Sequence, residues 1–97
     1  MEMKRLPTHP GKILKRELEA RGLSANKVAL ALGVPSGRIT DILNGKRAIT
    51  PDTAIRLGEF FVNSPQFWLN LQTRYDLLKA EHELNERLDK EVTPHAA

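Results

Sequence analysis

Residues 24–46 read SANKVALALGVPSGRITDILNGK, and this stretch decides the fold. Two short runs with helical spacing flank a Gly33-Val34-Pro35 corner. Ala29 stands four residues before Gly33, and Ile39 six residues after it. Two helices that cross at a tight turn need such residues. A small side chain lets the backbones approach, a glycine takes the left-handed turn, and apolar side chains lock the second helix onto the first. The pattern is that of a helix-turn-helix, whose second helix is shaped to enter the major groove of DNA.

Working outward, the spacing predicts five helices and no strand. After a basic arm, Pro10 and Gly11 open a helix over residues 10–20 with Ile13, Leu14 and Leu18 on one face, and Gly22 ends it. Ser24 caps a second helix that turns Val28, Ala29 and Leu32 inward. The third covers residues 36–44, buries Ile39, Ile42 and Leu43, and stops at Asn44-Gly45. Thr50-Pro51-Asp52 supplies a capping hydroxyl, a proline at the first helical position and an acid at the positive end of the dipole. The fourth helix follows, with Ala54, Leu57, Gly58 and Phe61 along one face.

Ser64-Pro65 repeats the start signal and opens the longest helix. Its first half carries Phe67, Trp68, Leu71 and Tyr75, read as core. Its second half carries a thinner stripe of Leu77, Ala80, Leu84 and Leu88, with i,i+4 pairs expected at Glu83–Arg87 and Glu86–Lys90. A helix of about 24 residues spans about 36 Å, more than so small a body needs, so its far end is expected to project. The domain reading is therefore a basic arm over residues 1–9, a helix-turn-helix domain over 10–78, and a C-terminal extension with a frayed tail over 79–97.

Composition narrows the function. The 97 residues make one domain, and without cysteine it has no disulfide framework, thiolate metal site or cysteine nucleophile. No run approaches the roughly 18–20 apolar residues of a membrane span. Residues 1–10 lack the apolar stretch of a signal peptide, so a cytoplasmic protein is expected. Residues 1–50 hold ten Lys/Arg against four Asp/Glu, and residues 51–97 five against eight. The overall charge of +3 thus divides into +6 and −3, with the basic half carrying the helix-turn-helix. That asymmetry suits a polyanion partner, and scattered solvated charge is its bland alternative.

If residues 36–44 form the reading helix, Pro35, Ser36, Gly37 and Arg38 near its start face the bases, with Asp41 one turn on. Arg38 is the best base reader, because its planar fork matches O6 and N7 of guanine. Ser36 discriminates poorly, Gly37 permits close backbone approach, and Thr40 reaches a phosphate from the flank. Asp41 either accepts from cytosine N4 or pairs with Arg38 at i,i+3; the pairing is favoured, since an unpaired acid beside phosphate is costly. Asn26 and Lys27 at the start of the second helix, and Lys46 and Arg47 after the third, are the expected backbone contacts. For each of these residues the competing reading is an ordinary solvated side chain. One reading helix covers few base pairs, so a dimer on a palindrome is expected, with half-site centres about 10 base pairs apart. The fourth helix and the projecting stripe are both available as dimer surfaces.

These residues resemble the Xre/Cro-type helix-turn-helix proteins, and more narrowly the HigA (VapI-like) antitoxins. The resemblance spans residues 9–78. Its landmarks are His9-Pro10-Gly11, Leu23-Ser24-Ala25-Asn26, Gly33-Val34-Pro35, Ile42-Leu43-Asn44-Gly45-Lys46-Arg47 and Thr53-Ala54-Ile55-Arg56-Leu57. The block Ser64-Pro65-Gln66-Phe67-Trp68-Leu69-Asn70-Leu71-Gln72 is the most specific. The resemblance implies an all-α, five-helix Cro/lambda-repressor-like domain with an extended C-terminal helix. It also implies a homodimer that binds double-stranded operator DNA, represses its own toxin–antitoxin operon, and neutralises a RelE-like (HigB) mRNA-cleaving toxin. Residues 4–21 are a candidate toxin contact. Gly37 and Asp41 depart from simpler family patterns, where a larger or basic contact residue is expected.

The nearest alternative is a stand-alone Xre-type regulator without a toxin partner. A second is an interaction module that has lost DNA binding, against which Arg38, Lys46 and Arg47 argue. An enzyme is the weakest: His9, His82 and His95 show no ligand spacing, no serine has a base in view, and Gly33, Gly37 and Gly45 make no phosphate loop. No cofactor or metal is expected.

Overall fold

The helix start signals are local, and the computed structural model, which describes residues 7–96, places helices where they occur. The helices are α1 (Pro10–Ala20), α2 (Ala25–Leu32), α3 (Ser36–Leu43), α4 (Pro51–Phe61), α5 (Pro65–Leu84) and α6 (Arg87–Glu91). The Ser24 hydroxyl accepts from the Lys27 N–H at 3.1 Å, that of Thr50 from Thr53 at 3.4 Å, and that of Ser64 from Gln66 at 3.0 Å. Each satisfies a donor that the first helical turn leaves open. Gly33 sits at φ 72°, the Val34 N–H reaches back to the Ala29 carbonyl at 3.0 Å, and the chain turns into α3. That is the left-handed helix ending a glycine makes at little cost.

The core is built where these helices cross. Leu14, Val28, Ile39, Ile42, Leu57 and Trp68 are all fully buried. Helix α3 packs on α1 and α2, while α5 lies along α4 and crosses α1. Two polar residues join this interior. Gln72 accepts from the Ile49 N–H at 2.8 Å and donates to Asp76 at 2.9 Å, so α5 holds the loop that follows α3. Thr53 is buried beside its capping partner Thr50. Among the described residues no buried side-chain nitrogen or oxygen lacks a partner.

Three expectations need correction. The described residues form six helices, not five, because the long helix breaks at Asn85 (φ 26°), after 20 residues. Beyond that point the chain projects without a core to hold it, and the longest dimension of the molecule is 52 Å against 27 and 21 Å. The break moves Arg87 out of register with Glu83, and Arg87 bonds Glu91 within α6 at 3.0 Å instead. Phe67 is not core: 44% of it is exposed, and its ring edge rests on Trp68, which takes the inward position.

His9 caps α1 in an unusual way. Its Nδ1 accepts from the Gly11 N–H at 2.9 Å, and its ring meets Tyr75 of α5 edge-on at 4.9 Å. Burial holds its pKa below the ordinary 6.5; Asp76 opposes that shift and Lys79 adds to it. Protonation at Nδ1 would also remove the capping bond. The folded value therefore lies below the unfolded one, so this contribution to stability is complete above pH 6.5 and is lost as pH falls through the folded value. Urea midpoints measured from pH 8 to 5 should fall over that window. The fall should be smaller in His9→Asn, whose side chain caps without titrating there; an identical fall would refute the assignment.

Candidate nucleic-acid interface

The α2–α3 corner sets the geometry of the candidate site. Burial of Ile39 and Ile42 fixes the rotation of α3, which leaves Ser36, Gly37 and Thr40 exposed on its outer side. Asn26 and Lys27 are exposed on the first turn of α2. Lys46 and Arg47 are exposed just beyond α3. Their position is set by the helix end: the Gly45 N–H donates to the Ile42 carbonyl at 3.0 Å and the Lys46 N–H to the Asp41 carbonyl at 2.8 Å. Gln72 then anchors the loop two residues past Arg47. The predicted residues thus fall on the start of α2, the outer side of α3 and the turn after it.

Gly37 stands apart from the glycines that packing demands. A Cβ at Gly37 would meet no atom within 4 Å, whereas one at Gly11 or Gly58 would collide with backbone. Glycine inside a helix costs about 1 kcal/mol relative to alanine. Nothing among the described residues explains that cost at Gly37.

The ion pairs differ from expectation. Arg38 does not pair with Asp41. Its Nη1 donates to Asp52 Oδ1 at 3.1 Å, and Asp41 pairs with Arg47 at 3.7 Å. The rotation of α3 explains both, since Arg38 lies on the flank toward α4 while Asp41 looks toward the turn that carries Arg47. Asp52 also accepts from Arg56 Nε at 2.8 Å, and Arg56 Nη1 donates to the Leu32 carbonyl at 2.8 Å. The Arg56 hydrogen bond, aided by the charges of Arg56 and Arg38, holds the Asp52 carboxyl below its ordinary value, with desolvation as the main opposing effect.

The sequence reading did not assign roles to Asp52, Arg56 and Gln72 in this site. Asp52 and Arg56 stand at i,i+4, a readable helix pair, but their reach to α2 and α3 depends on how α4 packs. Gln72 stands four residues after Trp68, on the face that turned out to be buried.

No helix among the described residues is long and apolar enough to cross a membrane. The helix-turn-helix family profile matches residues 14–67. Virulence-associated protein I of Dichelobacter nodosus is 50% identical over 76 residues, which cover 77% of this chain and 70% of that protein. The structure of an addiction module antidote protein of the HigA family from Coxiella burnetii superposes with a TM-score of 0.89 at 49% identity, covering 94% of this chain and all of that one. Pseudomonas aeruginosa antitoxin HigA, solved with the higBA promoter, gives a TM-score of 0.89 at 40% identity over 93% of this chain and 99% of that one. With its α2–α3 corner and the two antitoxin structures matched along nearly their whole length, the chain belongs to the HigA (VapI-like) antitoxin family of Xre-type helix-turn-helix proteins.

Proposed function

We propose that this protein is an operator-binding antitoxin that represses its own toxin–antitoxin operon as a homodimer and neutralises a RelE-like toxin in the cytoplasm. One observation carries the DNA-binding part: α3 leaves Ser36, Gly37 and Thr40 exposed, with Asn26 and Lys27 exposed at the start of α2 and Lys46 and Arg47 just after α3. The Pseudomonas aeruginosa relative solved with promoter DNA shares this fold along nearly its whole length. In this reading Ser36, Gly37, Arg38, Thr40 and Asp41 face base edges or nearby phosphates, and Lys46 and Arg47 clamp the backbone. The unexplained glycine at 37 supports close approach of the helix backbone to DNA.

Residues 10–78 form the DNA-binding domain in this reading, and residues 79–97 the extension. Exposed Leu84, Leu88 and Val92 support the extension as a dimer surface, continuous with Leu77 at the end of the domain. The toxin contact is assigned to α1, whose Lys12, Lys15 and Arg16 are exposed. A groove of about 510 Å³ lined by Ile13, Arg16, Leu71, Arg74 and Tyr75 continues that surface onto α5. Residues 4–6 of the candidate toxin contact, and most of the basic arm, lie outside the described residues.

The test is co-purification with the product of the neighbouring gene, followed by titration of the upstream promoter. A stable pair that binds the promoter is expected; a protein that binds the promoter but captures no neighbour would be the stand-alone regulator. In the same titration Arg38→Ala should lower specific affinity by about 1–3 kcal/mol and blur the preference at one base position. Lys46→Ala should weaken binding to every duplex and flatten the salt slope by about one unit. Unchanged operator affinity in Arg38→Ala would overturn the base-reading role.

A further inference from the structure

Asp52 is an acid placed beside a surface read as binding a polyanion, and its bonds run to the reading helix. Its Oδ1 accepts from Arg38 Nη1 at 3.1 Å and from Arg56 Nε at 2.8 Å, while Arg56 Nη1 donates to the Leu32 carbonyl at 2.8 Å. One chain of hydrogen bonds therefore links the last residue of α2, the first turn of α4 and the side chain of Arg38 on α3.

Stability does not explain this arrangement. The Asp52 side chain is 59% exposed, and exposed ion pairs contribute little to folding. An acid in the first turn of α4 also satisfies the helix dipole without touching α3. The bond to Arg38 alters something else, namely where that guanidinium stands and what it can attract.

We propose that Asp52 is a specificity-determining residue of the DNA interface, holding Arg38 for base reading and withholding its charge from phosphates. The inference rests on the DNA-binding reading above. An unrestrained arginine binds any phosphate within reach, which strengthens attachment to all DNA alike. Bound to a carboxylate through Nη1, the guanidinium contributes little net charge, and it keeps Nε and Nη2 outside that bond. Two adjacent donors are what the O6 and N7 acceptors of guanine require. Discrimination gained by penalising the wrong partner is a common route to specificity. Arg56 acts through Asp52 as a positioning residue, since it fixes the carboxylate against the end of α2.

The experiment compares the full chain with Asp52→Asn, which keeps the side-chain shape and removes its charge. Each is titrated across a salt series against its own promoter duplex and a scrambled duplex of equal length. Asp52→Asn should bind the scrambled duplex more tightly, with a salt slope steeper by about one unit as Arg38 joins the phosphate contacts. The promoter-to-scrambled affinity ratio should fall about tenfold. In Arg38→Ala, adding Asp52→Asn should leave the ratio where the single variant put it, because the two residues act as a unit. An unchanged ratio in Asp52→Asn, with the parent chain still discriminating, would overturn the role of Asp52 and leave DNA binding intact. A parent chain that binds both duplexes equally would overturn the DNA-binding reading and this assignment together.

Discussion

Trp68→Ala is expected to destabilise the domain by about 3–5 kcal/mol, a large part of the roughly 5–15 kcal/mol that a protein of this size usually has. Two losses combine. The indole is fully buried between α5 and α4, with the Phe61 ring 5.6 Å away and the Phe67 ring edge-on at 5.0 Å. Truncation leaves a cavity that the surrounding side chains can close only in part. The indole N–H also donates to Asn63 Oδ1 at 3.0 Å, which ties the α4–α5 loop to the core. Trp68→Phe keeps most of the volume and loses the bond, so its cost should be smaller, about 1–2 kcal/mol. Thermal unfolding measures both. The alanine variant should melt more than about 12 °C below the parent chain, and a drop of only a few degrees would refute a keystone role for the indole.

The sequence revealed most where its signals are local. Ser24, Thr50 and Ser64 act within three residues of themselves, and each makes the expected capping bond. Gly33 needed no distant partner to end α2. The spacing of Ile39 and Ile42 gave the rotation of α3, so the exposure of Ser36, Gly37 and Thr40 followed from it.

What was hidden depends on parts distant in sequence. Arg38 was expected to choose an acid three residues away on its own helix. It bonds one fourteen residues on, because α4 presents Asp52 to that flank of α3. A period count that registers only apolar residues passes over Gln72, although a buried amide makes the bond that fixes the loop behind Lys46 and Arg47. The end of α5 was misplaced for the opposite reason. Beyond Leu84 all the described residues are exposed and no core enforces the helix, so a run of good helix formers did not prevent the break at Asn85.

Gly11→Ala is expected to cost about 2–3 kcal/mol and to weaken promoter binding beyond what the lost stability explains. Read as a helix residue alone, the change should help, because alanine is favoured over glycine by about 1 kcal/mol. The surroundings reverse that sign. Gly11 is buried where α1 crosses α3, and a Cβ there would overlap the Ile42 carbonyl oxygen and stand 2.8 Å from its carbon. Both atoms are backbone, so no rotamer change relieves the clash, and the two helices must separate. The helix displaced is the one proposed to read DNA, while Asn26 and Lys27 remain on α2. Reading helix and phosphate anchors would then no longer fit one groove together. Gly37→Ala provides the comparison, since its Cβ would enter open space. That variant should gain about 0.5–1 kcal/mol in stability and lose promoter affinity through steric contact with DNA alone. Urea unfolding and promoter titration of both variants separate the effects. A Gly11→Ala protein as stable as the parent chain would mean that α1 and α3 cross less closely than this packing requires.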